Sequence, residues 1–200
     1  MPAIDMAQRK RSCPSISQNG TAAVEFAILA LLFFTLVFGI IEVSRLLFVY
    51  NTLQEVTRRA VAAAVHVYPN DTAAIAKLKQ RAVFRDSPGE LILAAPITDK
   101  YIRLSYLRHD LSVIPESDWP ASAAENKEVC MKNPNADNCI RFVQAQVCTP
   151  EMTDACISPR SQMLVPLINM SPTLHKATTI ATVESLGYEQ GTLPPCPCSN

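Results

Sequence analysis

Neither sign of charge predominates in this chain of 200 residues, in which Lys and Arg total 18 and Asp and Glu total 18. Nucleic-acid recognition requires a basic face, so this balance argues against that class of partner. Signatures of chemistry are missing as well. The chain has only five glycines and contains no Gly-x-Ser-x-Gly, His-Glu-x-x-His, phosphate loop or dinucleotide fingerprint, so the enzyme classes those motifs mark are not indicated. His66, His109 and His175 lie apart from every cysteine pair, and the Cys-x-x-Cys spacing of zinc knuckles is absent, Cys196-Pro-Cys198 being the nearest approach. No metal and no cofactor is expected from such a set. Ser105, His109 and Asp110 are close in sequence, but the adjacent His109 and Asp110 project differently and define no relay. Glu184 and Glu189 read as a solvated acidic pair. There is no internal repeat, and the chain is not expected to be an enzyme.

What the chain does have is one long apolar run, from Ala27 to Ile41, interrupted only by Thr35 and Gly39. From Ala22 to Ile41 an α-helix rises about 30 Å, the thickness of a bilayer's hydrocarbon core. No other stretch comes close. Arg9, Lys10 and Arg11 precede it, and the positive-inside bias then keeps the short N-terminal segment in the cytoplasm and sends the bulk of the chain across the membrane. A secretory signal would have a shorter core and a small-residue cleavage site. Here Glu42-Val-Ser-Arg45-Leu-Leu-Phe-Val-Tyr50 follows instead. Glu25 does not fit plain anchoring, because a carboxylate in lipid costs about 2.5 kcal/mol or more unless it has a partner or sits at headgroup level.

The basic leader, Gly20-Thr-Ala-Ala-Val-Glu25-Phe26 and the helix end Gly39-Ile-Ile-Glu42-Val-Ser-Arg45 together resemble the TadE-like minor pseudopilins of tight-adherence (type IVc, Flp-type) pilus systems. The resemblance implies that a prepilin peptidase cuts between Gly20 and Thr21 on the cytoplasmic face, making Glu25 the fifth residue of the mature chain. It implies that Glu25 and Phe26 take part in subunit packing, with Glu25 meeting the new α-amino group of Thr21 or of a neighbouring subunit. Phe26 stands where major pilins of such systems often have tyrosine, and the long region after the helix is unlike their very small subunits. The implied organisation is a cytoplasmic leader over 1–20, a transmembrane helix over 21–49 and a periplasmic disulfide-containing domain over 50–200. The implied partners are the peptidase, other minor pseudopilins and the major pilin, the inner-membrane assembly platform and the lipid bilayer. The alternative function is a surface-exposed adhesin or binding module, which an aromatic patch around Tyr101, Tyr106 and Trp119 would favour.

Beyond the membrane the helix is predicted to continue to about Val65, because Leu46, Leu47, Val49, Leu53, Val56, Ala60, Ala63 and Ala64 keep an apolar stripe among polar residues. Glu42 and Arg45 can pair across one turn. Tyr68-Pro69-Asn70-Asp71 breaks the helix, and a second one is predicted over Thr72 to Phe84 with Asp71 as its cap. Period-two alternation from Lys100 puts Ile102, Leu104 and Tyr106 on one face of a strand, with 110–114 as its candidate continuation. A second strand is predicted over 139–148, and 162–168 as a short edge strand or loop, since Pro166 cannot donate to a ladder. The fold class is therefore α+β, a long N-terminal helix leading into a domain with a small antiparallel sheet. About 150 residues outside the membrane suffice for one core.

Seven cysteines divide unevenly: Cys13 precedes the apolar run, and Cys130, Cys139, Cys148, Cys156, Cys196 and Cys198 follow it. An even set in an oxidising compartment reads as a disulfide framework. A straight strand over 139–148 has its ends about 30 Å apart, against about 5.5 Å for bridged Cα atoms, so Cys139 and Cys148 are not partners. Cys130 with Cys139 and Cys148 with Cys156 can each close a small loop, leaving Cys196 and Cys198 to one another or to the body.

Overall fold

The computed structural model describes residues 19–151, 155–164, 171–183 and 186–188. Residues 1–18 with Cys13, the pair Glu184 and Glu189, and the tail with Cys196 and Cys198 lie outside the described residues. The chain divides into two units, Met1–Ile41 and Glu42–Asn200.

Helix α1 runs from Asn19 to Ala64 without a proline. In its first part Thr35 Oγ1 donates to the Leu31 carbonyl at 2.7 Å, so the only hydroxyl within the apolar run is satisfied inside the helix, as a low-dielectric surrounding demands. None of the run's most apolar window is buried inside the protein. From Glu42 onward one face sinks into the core: Val49, Leu53, Val56, Ala60 and Ala64 are all buried. Of the stripe read from the sequence, these five residues form this face and Leu46 is half-buried, whereas Leu47 and Ala63 are exposed.

Helix α2, Thr72–Ala82, begins where Asp71 accepts a bond from the Ala74 amide at 2.9 Å. It stops two residues short of the predicted Phe84 because Phe84 takes a positive φ of 60°. The Arg85 amide then bonds the Gln80 carbonyl and the Phe84 amide the Arg81 carbonyl, both at 3.0 Å, which is a Schellman closure. Glycine normally fills that left-handed position. Here the Arg59 guanidinium of α1 lies over the Phe84 ring, 4.2 Å from its centroid, and this cation–π contact favours keeping the aromatic side chain.

The sheet has three antiparallel strands in the order β1 (Ile102–Leu107), β2 (Phe142–Val147), β3 (Thr178–Thr182). Ile102 pairs with Val147, Leu104 with Ala145 and Tyr106 with Val143, so the face predicted for β1 is the one turned to the core. Thr57 of α1 and Thr179 of β3 join their hydroxyls at 2.8 Å, fixing helix against sheet. Helix α3, Ala123–Lys132, is capped by Ser122 and anchors the entry to β2: the Asn126 side chain accepts from the Ile140 amide at 2.9 Å and donates to the Ile140 carbonyl at 3.4 Å.

One further expectation is corrected, and two elements were not foreseen. Residues 110–114 do not extend β1 but fold back on it, with Leu111 at φ 66°, the Arg108 amide bonded to Ser112 and the Ile114 amide to Tyr106. Of the segment 162–168, expected as an edge strand or a loop, Gln162 to Leu164 form loop, with the Gln162 carbonyl accepting from Arg45 and the Leu164 amide donating to Glu42; residues 165–168 lie outside the described residues. The edge strand is instead β3, which had not been predicted, and neither had α3.

Cys139 and Cys148 sit just beyond the two ends of β2, and each is bridged to a different partner, Cys130 and Cys156 respectively, with Cα atoms 5.1 Å apart in both bridges. Non-reducing peptide mapping of the full chain should return these two bridges and no Cys139 to Cys148 bridge. Replacing Cys130 and Cys139 by serine should cost about 2–3 kcal/mol, the loop-closure contribution of so short a loop, read as a lowered midpoint in chemical denaturation. An unchanged midpoint would show the bridge to be without structural consequence.

Candidate functional site

Two groups of residues on α1 carry the functional reading. The first is at its N-terminal end. Gly20, Thr21, Glu25 and Phe26 all lie in helix, and those after Gly20 are exposed like it, Phe26 at 73%. Thr21 and Glu25 are one turn apart on the same face. Among the described residues no ion pair involves Glu25.

The second group is where the apolar run ends. Glu42 and Arg45, each 7% exposed, pair at 2.7 Å. The arrangement goes well beyond one helical turn. Arg45 Nε donates to the Leu93 carbonyl at 2.9 Å, Nη2 to the Gln162 carbonyl at 2.7 Å and Nη1 to Ser161 Oγ at 3.4 Å. Glu42 Oε2 accepts from the Leu164 amide at 3.3 Å. Every nitrogen of the guanidinium and both carboxylate oxygens are therefore engaged, which is what makes burial of an ion pair tolerable. The pairing of Glu42 with Arg45 is legible from their spacing. Its partners Leu93, Ser161 and Gln162 are not, since nothing local in the sequence marks a backbone carbonyl as an acceptor for a distant arginine.

The other candidate residues are accounted for by structure. Asp110 caps its own turn, accepting from the Ser112 hydroxyl at 2.6 Å and the Ser112 amide at 2.9 Å, and these bonds hold its carboxyl below the usual range. It is thus committed to the turn and shares no relay with Ser105 of β1. Tyr106 is 2% exposed and packs edge-on against Trp119 at 5.1 Å between centroids. Burial pushes its phenol well above the ordinary range. Trp119 donates to the Ile114 carbonyl at 3.1 Å. Of the aromatic patch that an adhesin surface would use, Tyr106 is therefore core, while Tyr101 and Trp119 are half-buried against it. Among the described residues no group of three or more His, Cys, Asp or Glu side chains is placed to hold a metal ion.

Comparison with protein-family models matches residues 20–62 to the family described as TadE-like protein. The N-terminal part of this chain is a TadE-like domain. The match opens at Gly20 and closes two residues before α1 ends, so the TadE-like domain is essentially the helix, containing both Glu25 and the Glu42–Arg45 pair. The family is non-catalytic. No curated protein and no solved structure matches the chain. Among the described residues one helix, α1, is long and apolar enough to cross a membrane, which supports a single-pass membrane topology.

Glu42→Ala should strand the Arg45 charge in a buried site and cost about 3–5 kcal/mol, whereas Glu42→Leu combined with Arg45→Met should cost less than the single replacement because no charge is left unpaired. The fluorescence of Trp119, the only tryptophan, followed through denaturation of detergent-solubilised full chain, checks both. A double variant less stable than Glu42→Ala would show that the polar bonds, not charge pairing, dominate.

Proposed function

We propose that the protein is a minor pseudopilin that helps assemble a tight-adherence (type IVc, Flp-type) pilus. The observation that carries this reading is a helix, TadE-like from Gly20 onward, whose most apolar window is unburied and whose Glu25 has no ion-pair partner among the described residues. A helix of this kind has its packing surface outward, available to lipid and to the helices of other subunits.

On this reading residues 1–20 are a cytoplasmic leader, 21–49 cross the bacterial inner membrane and 50–200 are periplasmic. Within 42–49 one face is buried in the domain while Val43, Leu47 and Phe48 remain exposed, which supports a position for that stretch at the lipid–water boundary. The two disulfides beyond the helix support an oxidising location for the domain. Removal of the leader by a prepilin peptidase takes away the basic residues that tie the N-terminus to the cytoplasm and creates an ammonium at Thr21. Glu25 then has a counter-charge, on its own chain or on a neighbouring subunit, which offsets the cost of a carboxylate among apolar helices. The partners are the peptidase, other minor pseudopilins, the major pilin and the inner-membrane assembly platform.

Mass analysis of the protein from peptidase-competent cells should find a mature chain beginning at Thr21, and a bulky residue at Gly20 should block or slow the cut. Intact protein in such cells would sink the pseudopilin reading. A reporter enzyme active only in the periplasm should work when fused after His66; activity of a cytoplasm-only reporter there would reverse the topology.

Glu25→Ala should leave cutting and membrane insertion intact while reducing co-purification with other pilin-like subunits. Unchanged recovery of the complex and unchanged pilus number would mean that Glu25 sits passively at headgroup level.

A further inference from the structure

The domain exposes aliphatic side chains where a water-soluble fold has no use for them. Ile92, Leu93 and Leu164 are exposed at 61%, 53% and 55%. Neither of their segments, Leu91 to Thr98 and Ser161 to Leu164, carries a charge. Leu93 has a φ of 59°, a left-handed conformation that glycine or asparagine adopts at less cost than a branched aliphatic residue. Local backbone preference and solvent contact both disfavour leucine there, so its presence calls for another surrounding. The loop is also well braced, by the Leu91 amide bonded to the Ile97 carbonyl at 2.7 Å, the Ala94 amide bonded to Leu91 at 3.1 Å and Arg45 bonded to the Leu93 carbonyl.

The buried pair sets where these side chains stand. Leu93 is tied to Arg45 and Leu164 to Glu42, so both loops lie beside the turn of α1 that directly follows Ile41, the last residue of the apolar run. On the helix itself Val43 and Leu47 are exposed at 57% and 59%, completing an apolar rim around that turn.

We propose that this rim is a membrane-seating surface, with the Ile92-Leu93 tip and Leu164 immersed in the interfacial layer of the same bilayer that α1 crosses. The proposal rests on the single-pass membrane reading. Its occupant is lipid because the rim is continuous along the chain with the lipid-spanning segment, and because uncharged, exposed aliphatics at that level are stabilised by the headgroup–acyl boundary, into which interfacial apolar faces sink about 5–10 Å.

The test uses full-length protein in a Trp119→Phe background, reconstituted into phosphatidylcholine vesicles with or without brominated acyl chains. Ile92→Trp and Leu164→Trp should each lose about half or more of their emission in brominated lipid, as expected for an indole at that depth. Phe34→Trp, within the apolar run, should be quenched too, and Met131→Trp, on exposed α3, should not. Quenching at position 34 but not at 92 and 164 overturns the seating surface and leaves the anchor intact. Absence of quenching at 34 overturns the membrane reading with it. Emission at 92 that ignores brominated lipid but becomes shielded from iodide as protein concentration rises assigns the rim to a second copy of the chain and equally overturns the proposal. Equal quenching at 131 does so as well, since the effect would then not be confined to the rim. Disulfide mapping of each variant confirms that it has folded.

Discussion

A helix that is apolar all round in its first half and on one face in its second must change surroundings along its length, and Glu42 and Arg45 mark the change. N-terminal to them none of the described side chains of α1 is buried; from Glu42 onward the face that includes Val49, Leu53 and Val56 is buried completely. The pair is itself buried, which is costly for isolated charges, but the Leu93 and Gln162 carbonyls, Ser161 and the Leu164 amide complete its bonding. Segments about 48 and 116 to 122 residues away in sequence are thus tied to a single turn of helix. The domain's edge at that turn is defined by polar bonds, while its interior is defined by aliphatic packing.

The helix and its change of surroundings were legible because they rest on periodicity and length, which a sequence displays directly. An apolar run that long admits few structures, and the stripe from Leu46 to Ala64 obeys a 3.6-residue period. The cap at Asp71, the core face of β1 and the separation of Cys139 from Cys148 follow from equally local rules. The boundary at Ala82 was not legible, because Phe84 occupies a left-handed position that sequence would assign to glycine, and a residue of α1 helps hold it there.

The missed elements differ in kind. Helix α3 had a readable signal: Ser122 accepts from the Glu125 amide and Glu125 reaches back to the Ala121 amide at 2.8 Å, a capping-box arrangement displaced by one residue. Strand β3, Thr178-Thr-Ile-Ala-Thr182, is β-branched but never fully buried, so its alternation of apolar and polar residues is weak. The fold-back at 110–114 depends on Leu111 at positive φ and on Asp110 bonding Ser112, a turn that an Asp two residues before a Ser allows but does not require. The segment after Ser161 was read as a short edge strand or a loop. Its backbone bonds go to Glu42 and Arg45 instead, a long-range competition that no local pattern encodes.

A buried ion pair is seldom retained for stability alone, since well-packed aliphatic residues of similar volume often stabilise as much or more. At positions 42 and 45 such residues would have a second consequence. The outward residues Val43, Leu47 and Phe48 are already apolar, so replacing the pair would make the chain apolar almost without interruption from Ala27 to Tyr50. A hydrophobic stretch longer than the hydrocarbon core adjusts by tilting or sliding, at only fractions of a kcal/mol per Å of mismatch, and so fixes no depth. Two charges that are satisfied only inside the domain cannot follow the helix into lipid without breaking their bonds. The pair therefore acts as a stop on an otherwise ambiguous apolar helix. On the proposed reading, the level of Thr21 and Glu25 in the membrane follows from the number of residues between that stop and the N-terminal end of the helix.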